Sequence, residues 1–311
     1  MSVGTDDRPL FGIALKLASV AVLLAMASLV KTARETMPPG EVVFFRSLFA
    51  IPPILAWLWW RGELADGLRV RAPRLHLWRG LMGGTAMGLI FTALGLIPLP
   101  EVTAIGFAAP VLVTVFAALF LGERLRIWRI SAVAVGLVGV MVMLAPRLSA
   151  AGGASTPDET SGALAMLGAT VLMAGAICMV RRLVATDESA AIVFWFSVIC
   201  TGLSLVTLPF GWAVPSGAVL GAMVLAGLAG GIGQILLTEA YRHADAGVIS
   251  PFEYASLVMA LAVGWAVFGE TARPAVLAGA ALVIAAGLVI AWRESRTRAA
   301  VGAPRPAGGA G

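Results

Sequence analysis

Two charged residues interrupt long apolar stretches of this sequence, and they are its clearest candidates for chemistry. Arg46 lies in the stretch near residues 41–60, and Glu253 lies in the stretch near 247–268. A charge inside such a segment is rare and usually contacts a substrate, an ion or a proton. Arg46 could bind an anionic or carbonyl-bearing ligand, or extend its side chain to the outer membrane surface. Glu253 could accept a proton or bind a cationic group, or pair with a neighbouring helix.

Aromatic and polar residues elsewhere in the apolar stretches could complete a binding site for a small molecule. An aromatic face can stack on a flat substrate ring, although it can equally pack against helices or lipid. Direct pairing of Arg46 with Glu253 is not expected, because they fall on opposite sides of the membrane midplane, on the order of 13 Å apart along its normal. Lys16 is expected to reach the inner surface. With the two charges, the candidate substrate-binding residues are Phe45, Phe107, Trp195, Gln234 and Tyr254.

The composition indicates a chain whose solvent is lipid. Hydrophobic residues make up 59% of it and charged residues 13%, whereas soluble proteins carry about 25% charged residues. The net charge of +5 does not predict nucleic-acid binding, because most arginines lie in short loops between apolar stretches. Ten stretches approach the roughly 20 residues that a membrane helix needs, and the sequence therefore predicts an all-α polytopic membrane protein. They lie near 11–30, 41–60, 77–97, 101–121, 127–145, 162–180, 190–210, 217–238, 247–268 and 274–292.

The distribution of positive charge predicts how the chain crosses the membrane. One set of alternate loops holds 16 Lys and Arg residues, with Arg79 among them. The other set holds 4, which are Lys31, Arg34, Arg147 and Arg273. Since positive residues remain on the cytoplasmic side, both termini are predicted to be cytoplasmic.

The two halves of the chain repeat each other. Residues 102–123 recur at 249–270 with an offset of 147, and both copies end in Gly-Glu. Five segments per half is an odd number, so the second half must enter from the opposite side, which is the inverted repeat of many transporters. Small residues allow close helix packing in lipid. The repeated positions predicted to serve helix packing or gating are Gly80, Gly84, Gly227, Gly231, Glu123 and Glu270.

The repeat also shows where the halves differ. Segments one and two match segments six and seven with an offset of 150, which places Phe196 at the position of Arg46. With the offset of 147, Gly106 stands at the position of Glu253. The predicted units are 11–145 and 162–292, joined by a small, polar linker at 146–161 and followed by a disordered cytoplasmic tail at 293–311.

The end of each half resembles the EamA-type drug/metabolite transporters, a resemblance that covers roughly residues 11–292. Its residues are PLPEVTAIGFAAPVLVTVFAALFLGE at 98–123 and YRHADAGVISPFEYASLVMALAVGWAVFGE at 241–270. The resemblance implies two inverted five-helix bundles around a central substrate cavity, with cytoplasmic termini. The family includes exporters of amino acids and other metabolites, and uptake carriers for riboflavin or S-adenosylmethionine. FFRSLFA at 44–50 and SPFEYASL at 250–257 are most similar to the branch with those uptake carriers.

No motif in the sequence predicts catalysis, a metal site or a cofactor. There is no P-loop, no H-E-x-x-H and no G-x-S-x-G. Transport is therefore expected to be facilitated or coupled to an ion gradient, with Glu253 as the candidate proton carrier. We expect a secondary transporter of the bacterial inner membrane that takes up a vitamin- or nucleoside-like compound by alternating access. An exporter, or a membrane enzyme acting on lipid-linked substrates, is the alternative. The expected partners are a small molecule and the bilayer, not nucleic acid, and a homodimer remains open.

Overall fold

A computed structural model describes residues 9–65, 67–121, 127–148, 156–184, 186–244 and 249–302. Over these ranges the chain is helical and contains no β-strand. Short 3₁₀ helices lie at Leu205–Phe210 and Ser250–Tyr254. The helices are α1 (Pro9–Ala33), α2 (Pro39–Trp60), α3 (Pro73–Leu94), α4 (Leu99–Gly106), α5 (Ala108–Leu121), α6 (Ile127–Leu148), α7 (Pro157–Leu183), α8 (Ser189–Ser204), α9 (Gly217–His243), α10 (Ala255–Phe268) and α11 (Pro274–Gly302).

Within these ranges the helices form ten segments, because α4 and α5 occupy one predicted segment together. Eight stretches are long and apolar enough to cross a membrane. The shorter apolar stretches Ile130–Pro146 and Pro274–Ile290 occupy the places of predicted segments five and ten. The chain is therefore an all-helical, multi-pass membrane protein.

Proline sets the start of several helices. A proline in the first helical turn needs no backbone N–H partner and already has a helical φ angle. Pro73 begins α3 four residues before the predicted start at 77. His76 therefore lies in the helix, and so does Arg79, whose count among the loop charges was wrong.

Two other boundaries differ from the sequence prediction. Pro157 begins α7, and Thr156 and Glu159 cap it by accepting each other's backbone N–H groups. The last five residues of the predicted linker are therefore helical. At the other end of the chain, α11 continues to Gly302, so 293–302 is a helix rather than the predicted disordered tail. Residues 303–311 lie outside the described ranges.

Alternate connections lie at the same end of the helix bundle. In the loop 61–72, the backbone N–H of Arg71 donates to Asp187 Oδ1, 2.6 Å away, in the connection between α7 and α8. At the opposite end, Arg273 Nη2 donates to Glu159 Oε2 over 3.0 Å. The segments thus cross the bundle in alternating directions.

The two halves are interleaved rather than side by side. Helix α1 packs along α9, and α3 packs along α7; α2 contacts α8 and α9, α3 contacts α8, and α6 packs against α11. These contacts are symmetric between the halves. When each segment is replaced by its repeat counterpart, the contact of α1 with α9 becomes the contact of α7 with α3, and the set of contacts stays the same. The closest contacts of each half are therefore made with the other half.

Glycine makes the close helix contacts possible. A Cβ added to Gly80 would lie 2.5 Å from Ile199 Cγ2, and one added to Gly227 would lie 2.4 Å from Phe49 Cβ. Ile199 and Phe49 are 150 residues apart, so the repeat makes the same contact twice. Gly84 and Gly231 make a second matched pair of contacts, against α8 and α2 respectively.

The glycine contacts predict a selective effect of one methyl group. Gly227→Ala should destabilise the protein by about 1–3 kcal/mol, because the methyl group would overlap the Cβ atom of Phe49. Gly221→Ala is the matched control on the same helix, because no atom lies within 4 Å of its added Cβ. The measurement is the melting temperature of each variant purified in detergent. Equal melting temperatures for the two variants would contradict this packing.

Asp187 is a buried carboxylate that joins two connections. It accepts a hydrogen bond from the Arg71 amide, and its Oδ2 lies 3.1 Å from His76 Nε2. Burial raises the pKa of Asp187, but the Arg71 amide and His76 outweigh burial, so the pKa lies below its usual value. The charged form of Asp187 therefore stabilises the fold.

This carboxylate predicts acid sensitivity with a defined sign. A carboxyl group whose pKa falls on folding stabilises the fold above its ordinary pKa of about 4, and that contribution is lost as the pH falls through the folded value. We expect Asp187→Asn to lower the melting temperature at pH 7 and to weaken its decline in acid. Exposed Glu188→Gln is the neighbouring control. Parallel pH profiles for the wild type and Asp187→Asn would refute the assignment.

Candidate functional site

Arg46 lies on α2 and points into the helix bundle. Only 6% of its surface is exposed, and its Nε lies 3.4 Å from Met26 Sδ, a weak acceptor. A Cβ added to Gly230 would lie 3.0 Å from Arg46 Nη2, and Gly230 is the middle residue of α9. The guanidinium group therefore lies at mid-height in the bundle and does not extend to the outer surface.

A second arginine lies close to the first, and the sequence did not single it out. The guanidinium carbon of Arg79 on α3 lies 3.8 Å from the ring centroid of Phe196 on α8. Its Nε and Nη1 atoms are buried and have no hydrogen-bond partner. The signal that could have found this residue is Pro73, because a helix that starts there carries Arg79 almost two turns into the membrane segment.

Arg46 and Arg79, which we call the arginine pair, share one environment. They are close enough to repel each other, and both lie near the Cys200 side chain of α8. In the described part of the chain, neither guanidinium group has a carboxylate partner. The interior of the bundle thus holds two adjacent positive charges with unfilled donor capacity.

Glu253 pairs with Lys16 rather than with Arg46. The Nζ atom of Lys16 on α1 donates to Glu253 Oε2 in the 3₁₀ helix before α10. The Lys16 side chain is 3% exposed and the Glu253 side chain is 53% exposed. Lys16 is therefore buried, and the prediction that it reaches the inner surface was wrong. The carboxylate of Glu253 is thus half exposed and is paired with a buried ammonium group.

The aromatic candidates occupy separate places in the bundle. Phe107 and Tyr254, which are repeat counterparts, meet edge to face with ring centroids 5.1 Å apart. Phe45 contacts the rings of Phe44 and Phe49 on its own helix. Trp195 Nε1 donates to the backbone oxygen of residue 68 over 3.0 Å, which ties it to the loop 61–72. Phe107 and Tyr254 are thus brought together, whereas Trp195 is bound to a loop.

Gln234 lines a cleft between α2, α8 and α9. The cleft is small, and Trp57, Val193 and Thr238 also line it. Gln234 lies four residues beyond Gly230 on α9 and therefore on the same face of the helix. The cleft thus lies one helical turn from the arginine pair, towards the end of the bundle with the loop 61–72.

The candidate charges are the places where the two halves differ in chemistry. A Cβ added to Gly83 would meet the ring of Phe196, just as one added to Gly230 meets Arg46. A Cβ added to Gly106 would lie 3.3 Å from the methyl carbon of Met166, which is the counterpart of Lys16. Each half therefore makes the same contact, once with an apolar group and once with a charge.

Glu270 joins three segments at one end of the bundle. It follows Gly269, whose φ angle of +64° ends α10 in the left-handed conformation that favours glycine. Its carboxylate lies 2.8 Å from Lys31 Nζ and accepts the Leu99 backbone N–H, which begins α4. Glu270 thus ties α1, α4 and α10 together. Its counterpart Glu123 lies outside the described residues. Among the described residues, no group of His, Cys, Asp and Glu could hold a metal ion.

Comparison with known proteins places this arrangement in a family. A pseudopaline exporter of Pseudomonas aeruginosa is 31% identical, covering 92% of this chain and 96% of that protein. A riboflavin transporter of Rhizobium johnstonii is 31% identical over 85% of each. An S-adenosylmethionine uptake transporter of Rickettsia felis is 25% identical, with 82% and 84% covered.

A solved crystal structure shares the fold. It superposes with a TM-score of 0.63 at 22% identity and covers 92% of this chain and 98% of its own. The model of the EamA-like transporter family matches twice, at residues 10–145 and 160–292. The two matches span most of the sequence, and the helical, multi-pass fold agrees with them. The chain therefore belongs to the EamA-like transporter family and is a transporter of small molecules.

Proposed function

We propose that this protein is a secondary carrier that moves a small metabolite across the bacterial inner membrane by alternating access. The transported compound is vitamin- or nucleoside-like, and the direction is uptake. One observation carries the proposal. At matched positions of the two interleaved halves, one half makes a contact with an apolar side chain and the other half makes it with a charged side chain. Substrate and coupling-ion sites of such carriers lie where the repeats meet.

An inverted repeat with cytoplasmic termini is part of this proposal. The double match of the family, the symmetric helix contacts and the repeated glycine contacts support two equivalent halves. The alternating connections support opposite orientations of those halves. The charge asymmetry that supports cytoplasmic termini does not depend on Arg79, because the count without it is still 15 positive residues against 4.

The candidate binding residues lie on different halves of the repeat. Arg46 and Phe107 come from the first half, and Tyr254 and Gln234 come from the second. The backbone is interrupted at Phe107 between α4 and α5, and at Ser250–Tyr254 before α10. Interrupted helices of this kind often line the binding sites of carriers. A ligand held between these segments would contact both halves and could respond to their relative movement.

Glu253 is the proposed coupling residue. Protonation would remove its charge and weaken the ion pair with Lys16, leaving a buried ammonium group without its partner. A movement that separates Lys16 from Glu253 therefore becomes easier when Glu253 binds a proton. The half-exposed position of the carboxylate gives protons access from one end of the bundle.

Export is the second candidate for the direction of transport. It is favoured by the pseudopaline exporter, whose 31% identity equals that of the riboflavin transporter. The sequence resemblance of residues 44–50 and 250–257 to uptake carriers favours the opposite direction. Growth rescue of a vitamin auxotroph by the expressed protein distinguishes uptake from export.

The carrier mechanism predicts counterflow without ATP. Proteoliposomes that contain the purified protein are loaded with an unlabelled compound and diluted into the labelled one. We expect transient accumulation of label for at least one member of a panel that includes riboflavin, S-adenosylmethionine, nucleosides and amino acids. Protein-free liposomes are the control. The absence of counterflow across the panel would overturn the proposed function.

The ion pair predicts a separation of exchange from accumulation. With a compound that passes the counterflow test, Glu253→Gln should retain exchange but lose accumulation driven by a pH gradient, because the proton-binding group is gone. The double variant Lys16→Met with Glu253→Gly copies the contact of Met166 with Gly106 and should behave in the same way. Accumulation by Glu253→Gln at the wild-type level would remove Glu253 from the coupling mechanism.

A further inference from the structure

The arginine pair is a feature that the general carrier mechanism does not require. Two guanidinium groups in the interior of a membrane protein repel each other and lose hydration. Such groups are normally paired with carboxylates. Neither Arg46 nor Arg79 has such a partner in the described part of the chain, and Arg79 Nε and Nη1 are buried without any acceptor.

Four described carboxylates near the membrane segments are engaged elsewhere. Glu253 pairs with Lys16, Glu270 with Lys31 and Glu239 with Arg61. Glu41 accepts the backbone N–H of Ala213 at one end of the bundle. The positive charge of the pair is therefore left for a group that none of these four residues provides.

The position of the pair suits a transported ligand. Arg46 reaches the middle of α9 at Gly230, and Arg79 stacks on Phe196, the repeat counterpart of Arg46. Both arginines belong to the first half, whereas Gly230 and Phe196 belong to the second, so the pair lies where the two halves meet. A ligand here touches both halves at mid-membrane, and the cleft at Gln234 lies one turn away.

The chemistry of guanidinium defines the ligand class. Arginine presents N–H donors in a planar fork that matches the oxygens of carboxylate and phosphate, and a face stacked on an aromatic ring leaves the edge of the fork free. We propose that Arg46 and Arg79 bind the anionic group of the transported substrate, which is a small organic carboxylate or phosphate. This inference rests on the proposed carrier function.

The first test uses the ligand-free protein in detergent. If Arg79 binds the anionic group of the substrate, Arg79→Gln removes an unpaired buried charge from the ligand-free protein. The melting temperature of this variant should then equal or exceed that of the wild type. Exposed Arg74→Gln on the same helix is the matched control. If Arg79 is a structural residue, Arg79→Gln will melt well below the wild type, and that result would overturn the proposal.

The second test identifies the charge of the ligand. A bacterial metabolite extract is separated by ion exchange into anionic, neutral and cationic pools, and each is added to purified protein. The anionic pool should raise the melting temperature of the wild type and of Arg74→Gln by several degrees. It should not stabilise Arg46→Gln or Arg79→Gln. Phosphatase treatment of the pool separates the two sources, since a phosphate ester loses its effect and a carboxylate keeps it.

The outcomes separate this inference from the carrier function. Stabilisation by the neutral or cationic pool alone, an unchanged response of Arg79→Gln, or no response to any pool would overturn the anion site. Counterflow of an uncharged compound such as riboflavin, undiminished in Arg46→Gln and Arg79→Gln, would also overturn it while the carrier function stands. A complete lack of counterflow removes the function itself.

Discussion

A charge in the interior of a membrane protein needs a partner, because lipid and packed helices provide no water to solvate it. This requirement organises the polar groups of the bundle. Lys16 and Lys31 on α1 are neutralised by Glu253 and Glu270 in the segment that contains α10. The arginine pair is not neutralised by a side chain of the described residues. The protein itself thus satisfies part of its polar interior and leaves the arginine pair to the proposed ligand.

Glycine connects this electrostatic arrangement to the packing of the helices. The glycines at 80, 84, 227 and 231 bring α3 onto α8 and α9 onto α2. The glycines at 83 and 230 lie on the same two helices, and they leave the space that Phe196 and Arg46 fill. Side chains at 83 or 230 would displace the aromatic ring or the guanidinium group. The repeated glycines therefore allow close packing between the halves and also leave space for the side chains of Phe196 and Arg46.

Much of the fold follows from the sequence because apolar length and loop charge are local properties. Ten segments, the repeat and the exceptional position of Arg46 relative to Phe196 could all be predicted from residue patterns. The pairing of Lys16 with Glu253 could not, because it joins residues 237 positions apart in the chain. Arg79 was missed because the helix start was placed by hydropathy rather than by Pro73. The break between α4 and α5 at Phe107 does have a signal in the sequence, since Gly106 precedes it and Pro110 cannot donate a backbone hydrogen bond to the Gly106 carbonyl, but hydropathy does not register that signal.

Two ion pairs connect α1 to the segment of α10, one near each end of the bundle. Lys16 and Lys31 are 15 residues apart on one helix, or about 22 Å. With both ion pairs intact, α1 is held to the segment of α10 near both ends of the bundle. If the segments separate at one end, the other ion pair becomes the pivot, and the roles reverse when the opposite end opens. The two ion pairs would then serve in turn as the pivot of the movement. Opening both faces at the same time would require both ion pairs to break.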